Sequence, residues 1–143
     1  MLPGYGVYHV TSRGVARCEI FRDDDDRRPF VADFGAIGRE CSWICHAYCL
    51  MSNHYHAIIE TYLANLSAGL HRLNGRHAQR FNRRYARVGH LFQGRFHARV
   101  LRDDDHLARA CEYVWNNPVR ASLCGQAHEW PWSGAVLPRV NGG

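Results

Sequence analysis

The spacing of apolar residues predicts the elements of the first third of the chain. The alternation over 5–11 predicts a strand, and the short apolar run 18–21 predicts a second one. Four aspartates at 23–26 then predict the N-cap and first turn of a helix, because carboxylates stabilise the N-terminal end of the helix dipole. The buried stripe of that helix has i, i+4, i+7 spacing and consists of Phe30, Phe34 and Ile37.

The middle of the chain predicts a β-hairpin followed by a long helix. Two apolar-rich runs, 43–51 and 54–60, are joined at Ser52-Asn53, which is a turn-forming pair. A helix is predicted over 64–87, and its inner face is formed by Leu66, Leu70, Leu73, His77 and Phe81.

The last part of the chain predicts a loop and a strand over 89–102, and then a final helix. That helix begins at the aspartates 103–105 and ends before Asn117-Pro118, because a residue that precedes proline disfavours helical angles. Its inward positions are Leu107, Ala110, Cys111 and Val114. The order β-β-α-β-β-α-β-α predicts an α+β fold, in which an antiparallel sheet carries helices mainly on one face.

Length and composition are typical of one globular domain spanning residues 1–143, with 46% apolar and 22% charged residues. No apolar run approaches the ~20 residues that span a bilayer, and no secretory signal is recognisable. We therefore expect a cytoplasmic protein without a membrane partner. The six cysteines form no CxxC pair, and Cys41, Cys45 and Cys49 are interpreted as small buried hydrophobic residues.

The distribution of charge indicates a polyanionic partner. All 18 basic residues are arginine, and the net charge is +5. Residues 61–102 contain nine arginines and no aspartate or glutamate, so this segment produces a strong local positive field. Several of these arginines form a stripe along the long helix, about 100° around from its apolar stripe: Arg72, Arg76, Arg80, Arg83 and Arg87. A solvated basic helix face is the alternative interpretation.

Two pairs of residues are candidates for chemistry. His54 and His56 project from the same face of a strand and could bind one divalent metal with a third group. A structural zinc site that also uses His46 and Cys49 is a competing hypothesis. Tyr113 lies off the apolar stripe of the last helix, with Asn117 four residues later on the same helical face. That pair combines a hydroxyl nucleophile with an amide ligand, although an exposed tyrosine can also be a plain surface aromatic.

Several motifs in this order and spacing resemble one known family along nearly the whole chain. They are YHVTSRG at 8–14, AYCLMSNHYH at 47–56, LNGR at 73–76, GHLFQGRF at 89–96, YVWNNPVRA at 113–121 and WPWS at 130–133. The sequence resembles the REP-associated tyrosine transposases of the HUH single-tyrosine superfamily. It departs from their pattern at His97, where a lysine is common, and at Gly134-Ala135.

The resemblance implies a ferredoxin- or RRM-like HUH nuclease core and a metal-dependent DNA transesterase. Such a transposase cleaves and rejoins single-stranded or hairpin DNA through a 5′-phosphotyrosine intermediate. By this resemblance Tyr113 is the nucleophile, and His54, His56 and Asn117 are the ligands of a Mg²⁺ or Mn²⁺ ion. A domesticated protein that binds hairpin DNA with little or no cleavage is the alternative.

The expected partner is single-stranded or hairpin DNA with REP-like palindromes, and the sequence leaves monomer and homodimer open. The basic stripe is expected to contact phosphates, whereas Asn74 and Arg95 are expected to reach bases or backbone. The full set of predicted DNA-binding residues is Arg13, Arg72, Asn74, Arg76, Arg80, Arg83, Arg95 and Arg120.

Overall fold

A five-stranded antiparallel sheet lies at the centre of the computed structural model, which describes residues 5–135. The strands are β1 (Gly6–Arg13), β2 (Ile44–Leu50), β3 (His54–Thr61), β4 (His97–Val100) and β5 (Ser133–Gly134), in the spatial order β4-β1-β3-β2-β5. The helices are α1 (Asp24–Glu40), α2 (Leu66–Arg84), α3 (Asp104–Trp115) and the short α4 (Asn117–Arg120). Short 3₁₀ turns occupy Val15–Arg17 and Ala127–Glu129. The predicted α+β fold is confirmed.

The sheet divides the interior into two apolar clusters, because successive side chains of a strand point to opposite faces. On β3, Tyr55 and Ile59 belong to the larger cluster, which lies under α1 and α2. Ile58 belongs to the smaller cluster, which it shares with Ala110 and Val114 of α3. Two of the three long helices therefore cover one face, and α3 lies across the other.

The helix boundaries follow the predicted signals closely. Asp23 and Asp103 are N-caps, and their carboxylates accept the backbone N–H groups of Asp26 and His106 at 3.1 and 2.8 Å. Helix α3 ends at Trp115, just before the Asn117-Pro118 pair. The apolar stripe predicted for α1 and the inner face predicted for α2 are both buried. No helix within residues 5–135 is both long and apolar enough to cross a bilayer.

The strand predicted over 18–21 is wrong. Ile20 and Phe21 instead form part of a loop, and both of their backbone N–H groups donate to the Ser52 carbonyl, at 2.8 and 3.1 Å. Their side chains are fully buried, and the Phe21 ring lies 4.8 Å from the ring of His77. The apolar character of this run reflects burial rather than sheet pairing, and periodicity cannot separate the two in so short a run.

The burial predicted for three cysteines is confirmed at Cys41 and Cys49, whereas Cys45 is only partly buried. All six are free thiols, and Cys41, Cys49 and Cys111 are buried. Burial raises the pKa of Cys45 and of Cys49 to about 12, so both stay protonated at neutral pH. They fill space in the sheet interior as small apolar side chains.

Two glycines of α2 give a matched test of the packing between α2 and the start of β2. A Cβ added at Gly69 would lie 2.3 Å from the indole of Trp43, whereas one added at Gly75 would meet nothing within 4 Å. Gly69→Ala should lower the free energy of unfolding by about 1–2 kcal/mol, because the indole must move and its 2.9 Å bond to Asn65 is disturbed.

The control, Gly75→Ala, should instead raise the free energy of unfolding by up to about 1 kcal/mol, which is the helix propensity difference between glycine and alanine. Urea denaturation of both variants measures this contrast. Equal effects of the two substitutions would contradict the close approach of α2 to Trp43.

Candidate active site

Two histidines of β3 lie side by side on the face that α3 covers. The ring centroids of His54 and His56 are 4.9 Å apart. The Nδ1 atom of His54 lies 2.7 Å from Asn53 Oδ1, which is an acceptor, so Nδ1 carries the proton and Nε2 keeps its lone pair. The amide nitrogen of Asn117 lies 3.5 Å from that Nε2. The predicted neighbours His54, His56 and Asn117 are therefore brought together.

Residues of the adjacent strand β1 orient the second imidazole. His56 Nδ1 lies 2.9 Å from His9 Nε2 and 3.2 Å from Thr11 Oγ1. When Nδ1 donates to these acceptors, Nε2 of His56 also keeps its lone pair. His9 was not predicted as a site residue. The alternation of β1, with Tyr8 and Val10 on the opposite face, is the sequence signal that places His9 beside Thr11.

Burial keeps these imidazoles neutral. It lowers the pKa of His54 to about 4, with a smaller contribution from Arg13. It lowers the pKa of His56 to about 3, with neighbouring His54 and His9 adding to the effect, and the pKa of His9 to about 4. Neutral imidazole is the form that ligates metal ions, so the pair is in its ligating state at neutral pH.

Helix α3 places the phenol of Tyr113 beside the imidazoles of His56 and His9. The ring centroid of Tyr113 lies 6.0 Å from that of His56 and 5.9 Å from that of His9, and 51% of the residue is exposed. The guanidinium carbon of Arg120 lies 4.0 Å from the centroid of the tyrosine ring, and the same side chain donates to the Tyr113 carbonyl at 2.7 Å. The phenol is thus held by stacking yet open to a ligand.

The route by which Asn117 reaches the site differs from the prediction. The sequence places Asn117 one turn after Tyr113 on the same helical face, but α3 ends at Trp115 and Asn117 is the first residue of α4. Proline at the following position favours this new helix start. Asn117 therefore contacts His54 from the first turn of α4.

Comparison with known proteins shows the family to which the chain belongs. The family model described as "Transposase IS200 like" matches residues 5–117, which is most of the chain. The chain belongs to the IS200-like transposase family. A Haemophilus influenzae protein with the provisional name REP-associated tyrosine transposase is 26% identical over 98 residues. The aligned region covers 61% of this chain and 56% of that protein, so the match spans little more than half the length of the relative.

A solved structure shares the fold of this chain. A REP-associated tyrosine transposase bound to a REP hairpin superposes with a TM-score of 0.74 at 17% identity. The match covers 92% of this chain and 77% of the other. The resemblance to REP-associated tyrosine transposases, first apparent from the motifs, is confirmed.

The donor atoms at this site fit a divalent metal ion. His54 and His56 offer two neutral nitrogen lone pairs on one face, and Asn117 has an amide oxygen, which is the ligand type that Mg²⁺ and Mn²⁺ favour. Within residues 5–135 no group of three or more His, Cys, Asp or Glu side chains is arranged to hold a metal ion. A site here would therefore depend on the amide and on water or substrate oxygens.

The competing zinc site receives no support from the contacts of its two further residues. His46 Nε2 is bonded to Glu60 Oε1 at 2.7 Å, toward the end of β3 remote from the histidine pair. The Cys49 thiol contacts the sulfur of Met51 at 3.7 Å, and its raised pKa opposes the thiolate form that zinc requires.

Four of the five arginines of the predicted basic stripe lie on α2, so they are on the opposite face of the sheet from His56 and Tyr113, whereas Arg87 follows the end of that helix. Three of its arginines are ion-paired with carboxylates of α1: Arg72 with Glu40 at 2.6 Å, Arg76 with Asp33 at 3.6 Å, and Arg80 with Asp33. Arg83 is exposed. The roles predicted for these four residues in DNA binding remain predictions.

The other four predicted DNA-binding residues have varied surroundings. Asn74 accepts a 2.7 Å bond from the Tyr55 hydroxyl and donates to Ser12 Oγ at 3.1 Å, so it links α2 to the sheet. Arg13 and Arg95 line a cleft of about 740 Å³ that also contains His56 and Tyr113. Arg120 is the residue stacked on Tyr113.

Proposed function

We propose that this chain is a metal-dependent DNA transposase that cleaves and rejoins single-stranded or hairpin DNA through Tyr113. The observation that carries the proposal is the position of the Tyr113 ring, about 6 Å from the rings of His56 and His9. Family membership supports it, and so does the solved relative bound to a REP hairpin.

The proposed reaction is a transesterification. Tyr113 Oη attacks the scissile phosphorus, the bond from phosphorus to O3′ breaks, and the DNA 3′ of the cut stays attached as a 5′-phosphotyrosine. The phenol proton is lost and the departing O3′ gains one, so a free 3′-hydroxyl is released. Attack by a 3′-hydroxyl on the phosphotyrosine reverses these bond changes, rejoins a strand and frees Tyr113 without ATP.

The surrounding residues have distinct roles in the proposed reaction. A divalent ion held by His54, His56 and Asn117 would polarise the scissile phosphate as a Lewis acid. Arg120, stacked on the Tyr113 ring, fixes the orientation of the phenol and places positive charge beside the attacking oxygen. His9 and Thr11 orient His56 through its Nδ1 atom.

The role of His9 gives a prediction about metal affinity. His9→Ala removes the acceptor at 2.9 Å from His56 Nδ1, so the affinity for Mn²⁺ should fall by about 10- to 100-fold. Isothermal titration with MnCl₂ measures this. His9→Gln keeps an acceptor oxygen and should recover part of the affinity, whereas His71→Ala, at an exposed position on α2, should have no effect. Equal affinities of wild type and His9→Ala would contradict the orienting role.

Strand labelling tests the proposed reaction directly. The protein is incubated with Mg²⁺ or Mn²⁺ and hairpin oligonucleotides designed from palindromes that flank its gene. A 3′-labelled strand should migrate with the protein on a denaturing gel, whereas a 5′-labelled strand should be released as a shorter fragment. Peptide mass mapping should then locate the adduct on Tyr113. Tight hairpin binding with no adduct would overturn the transposase proposal in favour of a DNA-binding protein that does not cut.

A further inference from the structure

We propose that the cleft beside Tyr113 holds the phosphate backbone of the single DNA strand to be cut, and that Arg99 and Arg109 contact those phosphates. This inference deepens the proposed function and rests on it, because it names where the substrate strand lies. It differs from the sequence-based prediction, which assigns phosphate contacts chiefly to α2.

The first observation is the charge of the cleft walls. Among the described residues that line this cleft, four are arginines, four are histidines and none is an aspartate or glutamate. The arginines are Arg13, Arg95, Arg99 and Arg109. A wall with a single sign of charge concentrates a polyanion, and a narrow cleft strengthens this field.

The second observation is that these cations are not neutralised by neighbouring carboxylates. Within residues 5–135, Arg13, Arg99 and Arg109 take part in no salt bridge, in contrast to the paired Arg72 and Arg80 of α2. Unpaired guanidinium groups can form bidentate contacts with phosphate without first breaking an ion pair. The α3 side of the sheet therefore carries positive charge that is available to phosphate.

The third observation is the position of Arg99 and Arg109 relative to the candidate chemistry. Arg99 on β4 is the cross-strand partner of His9, so the two side chains share one face of the sheet. Arg109 precedes Tyr113 by four residues on α3, which places both on one side of that helix. The two arginines thus flank the phenol and the imidazoles from opposite walls.

The occupant that fits is a single DNA strand. β4 is an edge strand of the sheet, so one side of the cleft is open to a chain that passes through. A basic groove with planar side chains is the usual surface for single strands, and here the imidazoles of His97 and His106 supply the planar groups. The strand would pass Tyr113 with its phosphates between the two arginines.

Binding of a fluorescein-labelled oligothymidylate, which forms no hairpin, tests the inference by anisotropy. Arg99→Ala/Arg109→Ala should raise the dissociation constant about tenfold or more at low salt. It should also reduce the slope of log affinity against log salt by about 1.4, because each phosphate contact on a single strand contributes about 0.7. Arg99→Lys/Arg109→Lys keeps both charges and should restore most of the affinity.

Arg28→Ala/Arg39→Ala is the matched control. Both residues are exposed on α1, on the other side of the sheet, and their removal changes the net charge by the same amount. The affinity of this control variant for the oligothymidylate, and its slope of log affinity against log salt, should equal those of the wild type. Equal losses in the two double variants would overturn the inference, since net charge alone would then explain binding. Tighter binding of the uridylate RNA analogue would overturn the choice of DNA.

The binding test of the cleft and the adduct test of the proposed reaction can fail independently. If wild type forms the Tyr113 adduct while Arg99→Ala/Arg109→Ala binds the oligothymidylate normally, the cleft inference fails and the transposase proposal stands. If no adduct forms but the double variant loses affinity and salt dependence, the transposase proposal fails. The cleft then stands as a site that binds single-stranded DNA.

Discussion

Tyr113→Phe should abolish the proposed covalent adduct with DNA and lower strand cleavage by about 10³-fold or more. The substitution removes the oxygen that is proposed to attack phosphorus and keeps the ring that packs against Arg120. The fold should be unaffected, because the residue is half exposed and its hydroxyl makes no hydrogen bond within residues 5–135. Denaturing gels with 3′-labelled hairpin DNA measure the loss, and anisotropy should show that DNA binding persists.

Tyr62→Phe is the matched control for this substitution. Tyr62 is also about half exposed, but it lies at the far end of the sheet, where its hydroxyl donates to Glu60 at 2.6 Å. Its variant should form the adduct at the wild-type rate. Adduct formation by Tyr113→Phe would show that another residue is the nucleophile.

Loss of a β3 imidazole has the second large effect. His56→Ala should abolish cleavage and weaken Mn²⁺ binding by about 100-fold or more, since orienting partners alone account for 10- to 100-fold. In wild type, Mn²⁺ at a hundred times its dissociation constant should raise the free energy of unfolding by about 2.7 kcal/mol. The same concentration should add little to the stability of His56→Ala.

Urea denaturation with and without MnCl₂ gives that comparison independently of DNA cleavage. The buried position of His56 means that its removal changes stability in both conditions, so the difference between the two conditions is the informative quantity. His71→Ala, on the surface of α2, should keep the full effect of Mn²⁺. An undiminished effect in His56→Ala would exclude this imidazole as a ligand.

Most of the scaffold is predictable from the sequence because local rules agree with the fold. The aspartate caps, the stripe Phe30–Phe34–Ile37 and the turn at Ser52-Asn53 each act over a few residues. The run 18–21 fails because its burial comes from packing of Phe21 against Phe30 of α1 and His77 of α2, and not from pairing with a strand. Short apolar runs carry no information about such partners.

The candidate site is only partly predictable for a similar reason. Alternation alone places His54 and His56 on one face, but the contact of His9 with His56 depends on the register of β1 against β3. For α2, a helical wheel gives the angle between its arginines and its apolar stripe. It does not show that Asp33 and Glu40 of α1 lie beside those arginines, or that α2 covers the opposite face from Tyr113.

The alternation on β3 also makes the site sensitive to the length of the hairpin. Tyr55, which is bonded to Ser12 and Asn74 under α2, lies between two imidazoles that face the other way. Sliding β3 by one position would push both imidazoles into the apolar interior and turn the tyrosine out to the cleft. An insertion between Met51 and His54 that shifted β3 by one position would therefore remove both imidazoles from the cleft without altering any of the reactive groups.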